Sequence, residues 1–209
     1  ISTRCKTNNK RNKVFGSRMG SLKNKKYCFV DKFLTLEETK ILTDYCRLKH
    51  RFNMSDFASP TAQSNNMDSH FYADHAMESL MLNKVDLMEK VTGLELLPTY
   101  SFWRMYTKFA DLPAHKDRPS CEYSVTVCIG SCGTKWPIYM DKKPIDLKPG
   151  QAVVYKGCEI THSRKEFQGD WQAQVFLHYV NKNGPNRDFV RDKRPFYGMP
   201  STKNNGQLK

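Results

Sequence analysis

At 209 residues the chain has room for one domain with a sizeable core and is short for two. Hydrophobic residues at 39% and aromatics at 12% exclude a wholly disordered chain, and no apolar run approaches the roughly 20 residues a membrane helix needs. The formal charge of +13 sits at the ends: residues 1–26 carry +9, residues 182–209 carry +5 and the stretch between them −1, so the body lacks the basic surface of a nucleic-acid binder and nucleic acid is not an expected partner.

This distribution divides the chain into a basic N-terminal tail (1–26), a single domain (27–181) and a basic C-terminal segment (182–209). The tail shows no charged-then-apolar leader, and targeting stays open. Within the body, Cys28, Phe29 and Val30 read as a short strand. Thr35 followed by Glu37 and Glu38 is a helix start, and Leu36, Ile41, Leu42 and Tyr45 at helical spacing predict a helix over about 35–49. Residues 53–69 are polar and turn-rich and read as a surface loop. Met77, Leu80, Met81, Val85, Leu87, Met88 and Val91 give a second helix over about 74–92, stopped by Gly93, with its Met stripe turned to the core. Beyond Leu94 come short aromatic and β-branched runs divided by Pro and Gly: 99–107, 121–129, 136–140, 151–155, 159–164 and 171–180. The fold class is therefore α+β and mainly β, a sandwich or barrel with two N-terminal helices packed outside.

Seven cysteines stand at 5, 28, 46, 121, 128, 132 and 158, without a CxxC pair or a zinc-finger spacing. They fit the cytoplasm or another reducing compartment, with Cys121 and Cys128 as buried thiols.

His115 and Asp117 form an H-x-D pair on a segment read as extended, where side chains two apart point to one side and one metal can reach both. His162 lies in a strand-like run after Leu147-Lys148-Pro149-Gly150, whose Pro-Gly suits the centre of a type II turn. Two imidazoles and a carboxylate from separate strands make a facial triad, which leaves three positions of an octahedral iron open, two for a chelating 2-oxo acid and one for dioxygen.

In these features the sequence resembles the iron(II)- and 2-oxoglutarate-dependent oxygenases of the prolyl 4-hydroxylase-like group, over about 27–181. Phe29-Val30-Asp31-Lys32-Phe33-Leu34-Thr35-Leu36-Glu37-Glu38 looks like that group's opening strand and helix. Tyr106 precedes His115 at about the interval of a tyrosine that hydrogen-bonds the co-substrate, and H-x-D, the L-K-P-G turn and the distal His follow in order. The resemblance implies a double-stranded β-helix (jelly roll) with His115, Asp117 and His162 as metal ligands and catalytic centre. It implies iron(II) as cofactor, 2-oxoglutarate and dioxygen as co-substrates, and hydroxylation of a C–H bond, with a polypeptide side chain such as proline ranked above a free metabolite.

The group's usual basic residue about nine to twelve positions after the distal His is missing, because this stretch reads Trp171-Gln172-Ala173-Gln174. A dianionic acid in a narrow barrel needs a cation, and Arg164, two residues beyond His162 and on the same side of an extended strand, is the candidate. Arg104 has the same relation to Tyr106, and Gln172 and Gln174 are further donors. Arg118 is expected to orient Asp117, His178 to be a structural histidine, and Trp103, Trp136 and Trp171 to be packing residues. Two other readings stay open: a jelly-roll binding module without turnover, against which the intact triad argues, and a hydrolase holding zinc in the same ligands, against which the lack of a H-E-x-x-H base argues.

Overall fold

The computed structural model describes residues 22, 25–56 and 68–199. The readings made for the remainder of the tail, most of the 53–69 loop and the last ten residues lie outside these described residues.

Among the described residues ten strands form two antiparallel sheets, β1 (Tyr27–Val30), β2 (Ser69–Tyr72), β3 (Leu96–Thr107), β4 (Leu112–His115), β5 (Tyr123–Ser131), β6 (Ile138–Met140), β7 (Lys143–Ile145), β8 (Ala152–Tyr155), β9 (His162–Arg164) and β10 (Trp171–Asn181). The larger sheet runs β1-β8-β5-β10-β3-β2 and the smaller β4-β9-β6-β7. Among the described residues three α-helices can be given bounds: α1 (Leu36–Asp56), α2 (His75–Asn83) and α3 (Val85–Thr92). No helix among the described residues is long and apolar enough to cross a membrane.

The helix start at Thr35 is a reciprocal cap. Thr35 N–H donates to Glu38 Oε2 at 2.8 Å and Glu38 N–H to Thr35 Oγ1 at 3.1 Å, satisfying two donors that the helix itself cannot. The helix then runs past the expected end at 49. Leu42 and Cys46 are buried, whereas Leu36 and Ile41, read as part of the same apolar face, are 76% and 69% exposed. The single helix expected over 74–92 is two helices meeting at Lys84, whose Nζ pairs with Glu38 at 2.8 Å. Met77, Met81 and Met88 are wholly buried, and Gly93 ends α3.

The pleat sorts the larger sheet's side chains onto two faces. Trp103, Met105, Val125, Val127, Val175 and Leu177 meet the buried residues of the three helices in one apolar core. On the opposite face Phe102 lies across from Phe176, Arg104 from Gln174 and Tyr106 from Gln172. Tyr106 and Phe176 share a cluster with Trp136 and Phe167, and Cys128, Val153 and Tyr155 pack on Ile138, Met140 and Ile160, so this face meets the smaller sheet. The architecture is mainly β and a jelly roll in general form, with its helices on the outer side of the larger sheet.

Lys148-Pro149-Gly150-Gln151 closes with Gln151 N–H donating to Lys148 O at 2.9 Å, and Gly150 takes a φ of 86° that a type II turn demands at its third position. Beyond residue 181, described residues of the C-terminal segment pack on the body. Arg194 is 2% exposed and pairs with buried Glu78, while Tyr197 donates to Pro98 O at 3.2 Å. Asp192 and Arg194 are buried there despite the segment's basic composition, because Arg118 and Glu78 pair with them. Leu22, assigned to the tail, is likewise buried in the core.

Candidate metal centre

β4 ends at His115, Asp117 follows two residues later, and His162 opens β9, where it lies directly across from His115. One donor atom from each of these three residues falls within 4.8 Å of the others. Both imidazole Nε2 atoms face the same oxygen, Asp117 Oδ1, at 3.6 Å from His115 and 3.4 Å from His162. The other ring nitrogens are anchored: His115 Nδ1 lies 2.8 Å from Pro113 O and His162 Nδ1 3.2 Å from Ile160 O. A carbonyl accepts only, so each Nδ1 carries its proton and each Nε2 is left with a lone pair for a metal. His162 is buried and the His115 side chain 41% exposed, so the centre sits at the rim of the roll and opens to solvent on the His115 side.

Asp117 is held from behind. Its N–H donates to Gly157 O at 2.9 Å, and Ser124 Oγ lies 3.3 Å from Oδ2. Ser124 Oγ is also 2.8 Å from His178 Nδ1, and the His178 ring stacks on Tyr100 at 4.5 Å. Ser124 Oγ also lies 3.0 Å from Cys121 O, so its one proton serves several acceptors, and Asp117 Oδ1 is the oxygen that faces the two imidazoles. A Cβ on Gly157 would come within 2.5 Å of Oδ2 and closer still to Cys121 O, so only glycine lets the chain pass so near the carboxylate. Burial pushes the Asp117 carboxyl up, but the neighbouring His115 and His162 imidazoles outweigh it and hold it well below the usual carboxylate range. The neighbouring Asp117 carboxylate raises His115, while burial lowers His178 to about 4, so His178 is neutral.

Arg164 follows His162 on the same face of β9 and is 3% exposed. Its Nη1 donates to Trp136 O at 2.6 Å, but Nε and Nη2 have no hydrogen-bond partner among the described residues. The buried Tyr106 hydroxyl has none either. Both groups lie against Trp136, with the guanidinium 4.5 Å above that ring and the Tyr106 ring 4.9 Å from it. Buried donors are almost always paired, so one whole edge of a guanidinium left unsatisfied beside a phenol stands out in this core. Gln172 lies opposite Tyr106 and donates to Gln174 Oε1 at 3.3 Å. Arg104 is otherwise engaged, through Nε and Nη2 with buried Asp68.

Arg118 does not touch Asp117 as expected. It turns away and pairs with Asp192 instead, at 2.7 and 2.8 Å. Ser124 and Gly157 escaped the sequence reading. The signal for Ser124 was there: Ser124, Thr126 and Cys128 alternate with Val125, Val127 and Ile129, the mark of a strand with one small, polar face. Trp136, read as packing, also supplies the carbonyl that holds Arg164.

The donor set fits iron(II): two imidazoles and one carboxylate, with an unsatisfied buried cation nearby. Comparison of the sequence with models of known families and with curated proteins returned no match. Solved structures did match in shape. The non-heme alpha-ketoglutarate-dependent epimerase SnoN from nogalamycin biosynthesis superposes with a TM-score of 0.68 at 11% identity, over 93% of this chain and 98% of that one. A 2OG-Fe(II) oxygenase family oxidoreductase from Burkholderia pseudomallei gives 0.60 at 14% identity, over 88% and 96%. A prolyl-4-hydroxylase from Pseudomonas putida gives 0.61 at 14%, over 80% and 98%. The chain therefore has the fold of the 2OG-Fe(II) oxygenases.

Proposed function

We propose that the protein is a non-haem iron(II)- and 2-oxoglutarate-dependent dioxygenase that hydroxylates a C–H bond. The observation that carries this reading is the pairing of a His115–Asp117–His162 cluster with the orphaned donors of Arg164 and Tyr106. With iron(II), 2-oxoglutarate and dioxygen bound, such a centre supplies oxidative decarboxylation coupled to C–H oxidation.

The chain's own contribution is placement. His115 and His162 present Nε2, with Nδ1 fixed by backbone carbonyls, and Asp117 presents Oδ1, with Oδ2 beside the Ser124 hydroxyl. Arg164 offers the fork of Nε and Nη2 to the far carboxylate of 2-oxoglutarate, and Tyr106 adds a hydroxyl. Gln172, across from Tyr106, is placed to add an amide contact to the same ligand. Trp136, Phe167 and Phe176 keep water from that end of the roll, which strengthens the ion pair. A zinc hydrolase or a binding module without turnover leaves the buried donors of Arg164 and Tyr106 without a purpose, which is why the oxygenase ranks above both.

The reading stops at the reaction class. Among the solved structures of this fold are an epimerase and a prolyl hydroxylase by name, so the fold does not choose a polypeptide substrate. The free thiols at Cys28, Cys46, Cys121, Cys128, Cys132 and Cys158 suit a reducing compartment. The test is release of labelled carbon dioxide from 1-labelled 2-oxoglutarate by the iron-loaded chain, even without a substrate. Loss of that release in Asp117→Ala supports the proposal, and equal release from wild type and Asp117→Ala sinks it.

A further inference from the structure

Arg118, the residue after the ligand Asp117, is fastened to the C-terminal segment. Its Nη1 and Nη2 donate to the two oxygens of Asp192 at 2.7 and 2.8 Å, the parallel fork that matches a carboxylate best. Asp192 is 2% exposed and also accepts from the Tyr72 hydroxyl at 2.6 Å.

The backbone that delivers Asp192 is strained. Arg191, Asp192 and Lys193 take φ values of 53°, 53° and 61°, the left-handed region that costs an L-residue energy, and none of the three is glycine. Arg194 keeps them there. Its Nη2 reaches Glu78 and, at 3.0 Å, Thr99 O; its Nη1 reaches Met199 O at 2.7 Å, and its Nε reaches Arg191 O at 2.8 Å. A fold that maintains three left-handed residues to place one buried carboxylate over-determines the position of whatever that carboxylate holds.

Two routes lead from Arg118 to Asp117. One is the chain itself, since Arg118 directly follows Asp117, whose N–H donates to Gly157 O at 2.9 Å, while Arg118 O accepts from Cys121 N–H at 2.8 Å. The other is a stack: the Arg118 guanidinium lies 4.6 Å above the Tyr100 ring, Tyr100 lies 4.5 Å from His178, and His178 meets the Ser124 hydroxyl that lies beside Asp117 Oδ2.

Resting on the metal site proposed above, we infer that Asp192 is a positioning residue for Asp117, acting through Arg118, so that the C-terminal segment sets the geometry of the metal centre from outside the roll.

The experiment titrates the full chain with manganese(II), followed by the spectroscopic signal of the free ion, and records apo thermal midpoints in parallel. Asp192→Asn keeps the size and the Tyr72 contact but loses the ion pair. Arg118→Gln, on a side chain 34% exposed, is the variant that folds if Asp192→Asn does not. Each is expected to weaken manganese binding by about tenfold or more, as loss of an outer partner of a ligand does, and the double variant no further than the weaker single one. Arg118→Lys should recover part of the loss. Folded Arg118→Gln protein that binds manganese as tightly as wild type, even with a lower midpoint, overturns the inference and leaves a clasp that serves stability alone. A wild-type chain that binds no manganese would instead overturn the metal site on which it rests.

Discussion

The guanidinium of Arg164 lies 4.5 Å above the Trp136 ring and donates Nη1 to the carbonyl oxygen of the same residue at 2.6 Å. Trp136 thus fixes the plane of the fork and leaves Nε and Nη2 aimed elsewhere, and burial lowers the pKa of the unpaired cation. Arg164→Ala is expected to raise the 2-oxoglutarate requirement about a hundredfold or more, the loss of one partner of a desolvated charge pair being about 3–5 kcal/mol. Metal affinity should hardly change, and Arg164→Lys should recover only part, because a point charge does not reproduce the fork. Isothermal titration with 2-oxoglutarate checks this. Weak binding in Arg104→Ala with normal binding in Arg164→Ala would move the clamp to β3.

The three ligands should fail as a unit. His115→Ala, Asp117→Ala and His162→Ala are each expected to abolish turnover and to cut iron(II) affinity steeply, since two remaining donors cannot fix the geometry. Full activity in His162→Ala would show that the ligand set is wrong.

Gly157→Ala tests the close approach behind Asp117. The added methyl has nowhere to go between Asp117 Oδ2 and Cys121 O, so the variant should lose about 1–3 kcal/mol of stability and bind metal poorly. Chemical denaturation with metal titration measures both, and wild-type values would show that the turn has room.

His178 makes stability pH-dependent. Burial lowers it from its ordinary 6.5 to about 4, so between these values the unfolded chain binds a proton that the native one excludes. Stability therefore rises with pH across that window, by on the order of 3 kcal/mol for the full shift. His178→Gln should flatten the metal-free stability profile between pH 4 and 6.5, and an unaltered slope would assign it to other groups.

Much of the site was legible because its signals are local. H-x-D, the Pro149-Gly150 turn, the Thr35–Glu38 cap and the two-residue spacing of His162 and Arg164 each lie within a few positions, where backbone geometry alone relates the side chains. What escaped was short or distant. β2 and β7 have four and three residues and sit in polar or proline-bearing stretches that carry no alternation to read. The helix break at Lys84 hides in an unbroken apolar pattern, and the Lys84 side chain finds its partner in Glu38, 46 residues away. The basic C-terminal segment reads as solvated for the same reason: Asp192 and Arg194 find Arg118, Tyr72 and Glu78, partners that only the fold brings near.

Deleting residues 182–209 should therefore destabilise the body. It would strip Arg194 from Glu78, which is 2% exposed, and an abandoned buried carboxylate costs about 3–5 kcal/mol. Thermal unfolding of residues 1–181 should show a midpoint far below that of the full chain, and equal midpoints would return the segment to the status of a tail.

The account depends most directly on one event, the chelation of 2-oxoglutarate at a His115–Asp117–His162 iron with its far carboxylate on Arg164. Anaerobic titration of the iron(II)-loaded full chain with 2-oxoglutarate, followed by visible absorption, observes it without need of a substrate. The predicted result is a saturable charge-transfer band that is absent in Asp117→Ala and appears in Arg164→Ala only at much higher 2-oxoglutarate. A wild-type chain that holds iron(II) yet develops no band, or an Arg164→Ala variant that saturates at the wild-type concentration, would contradict it.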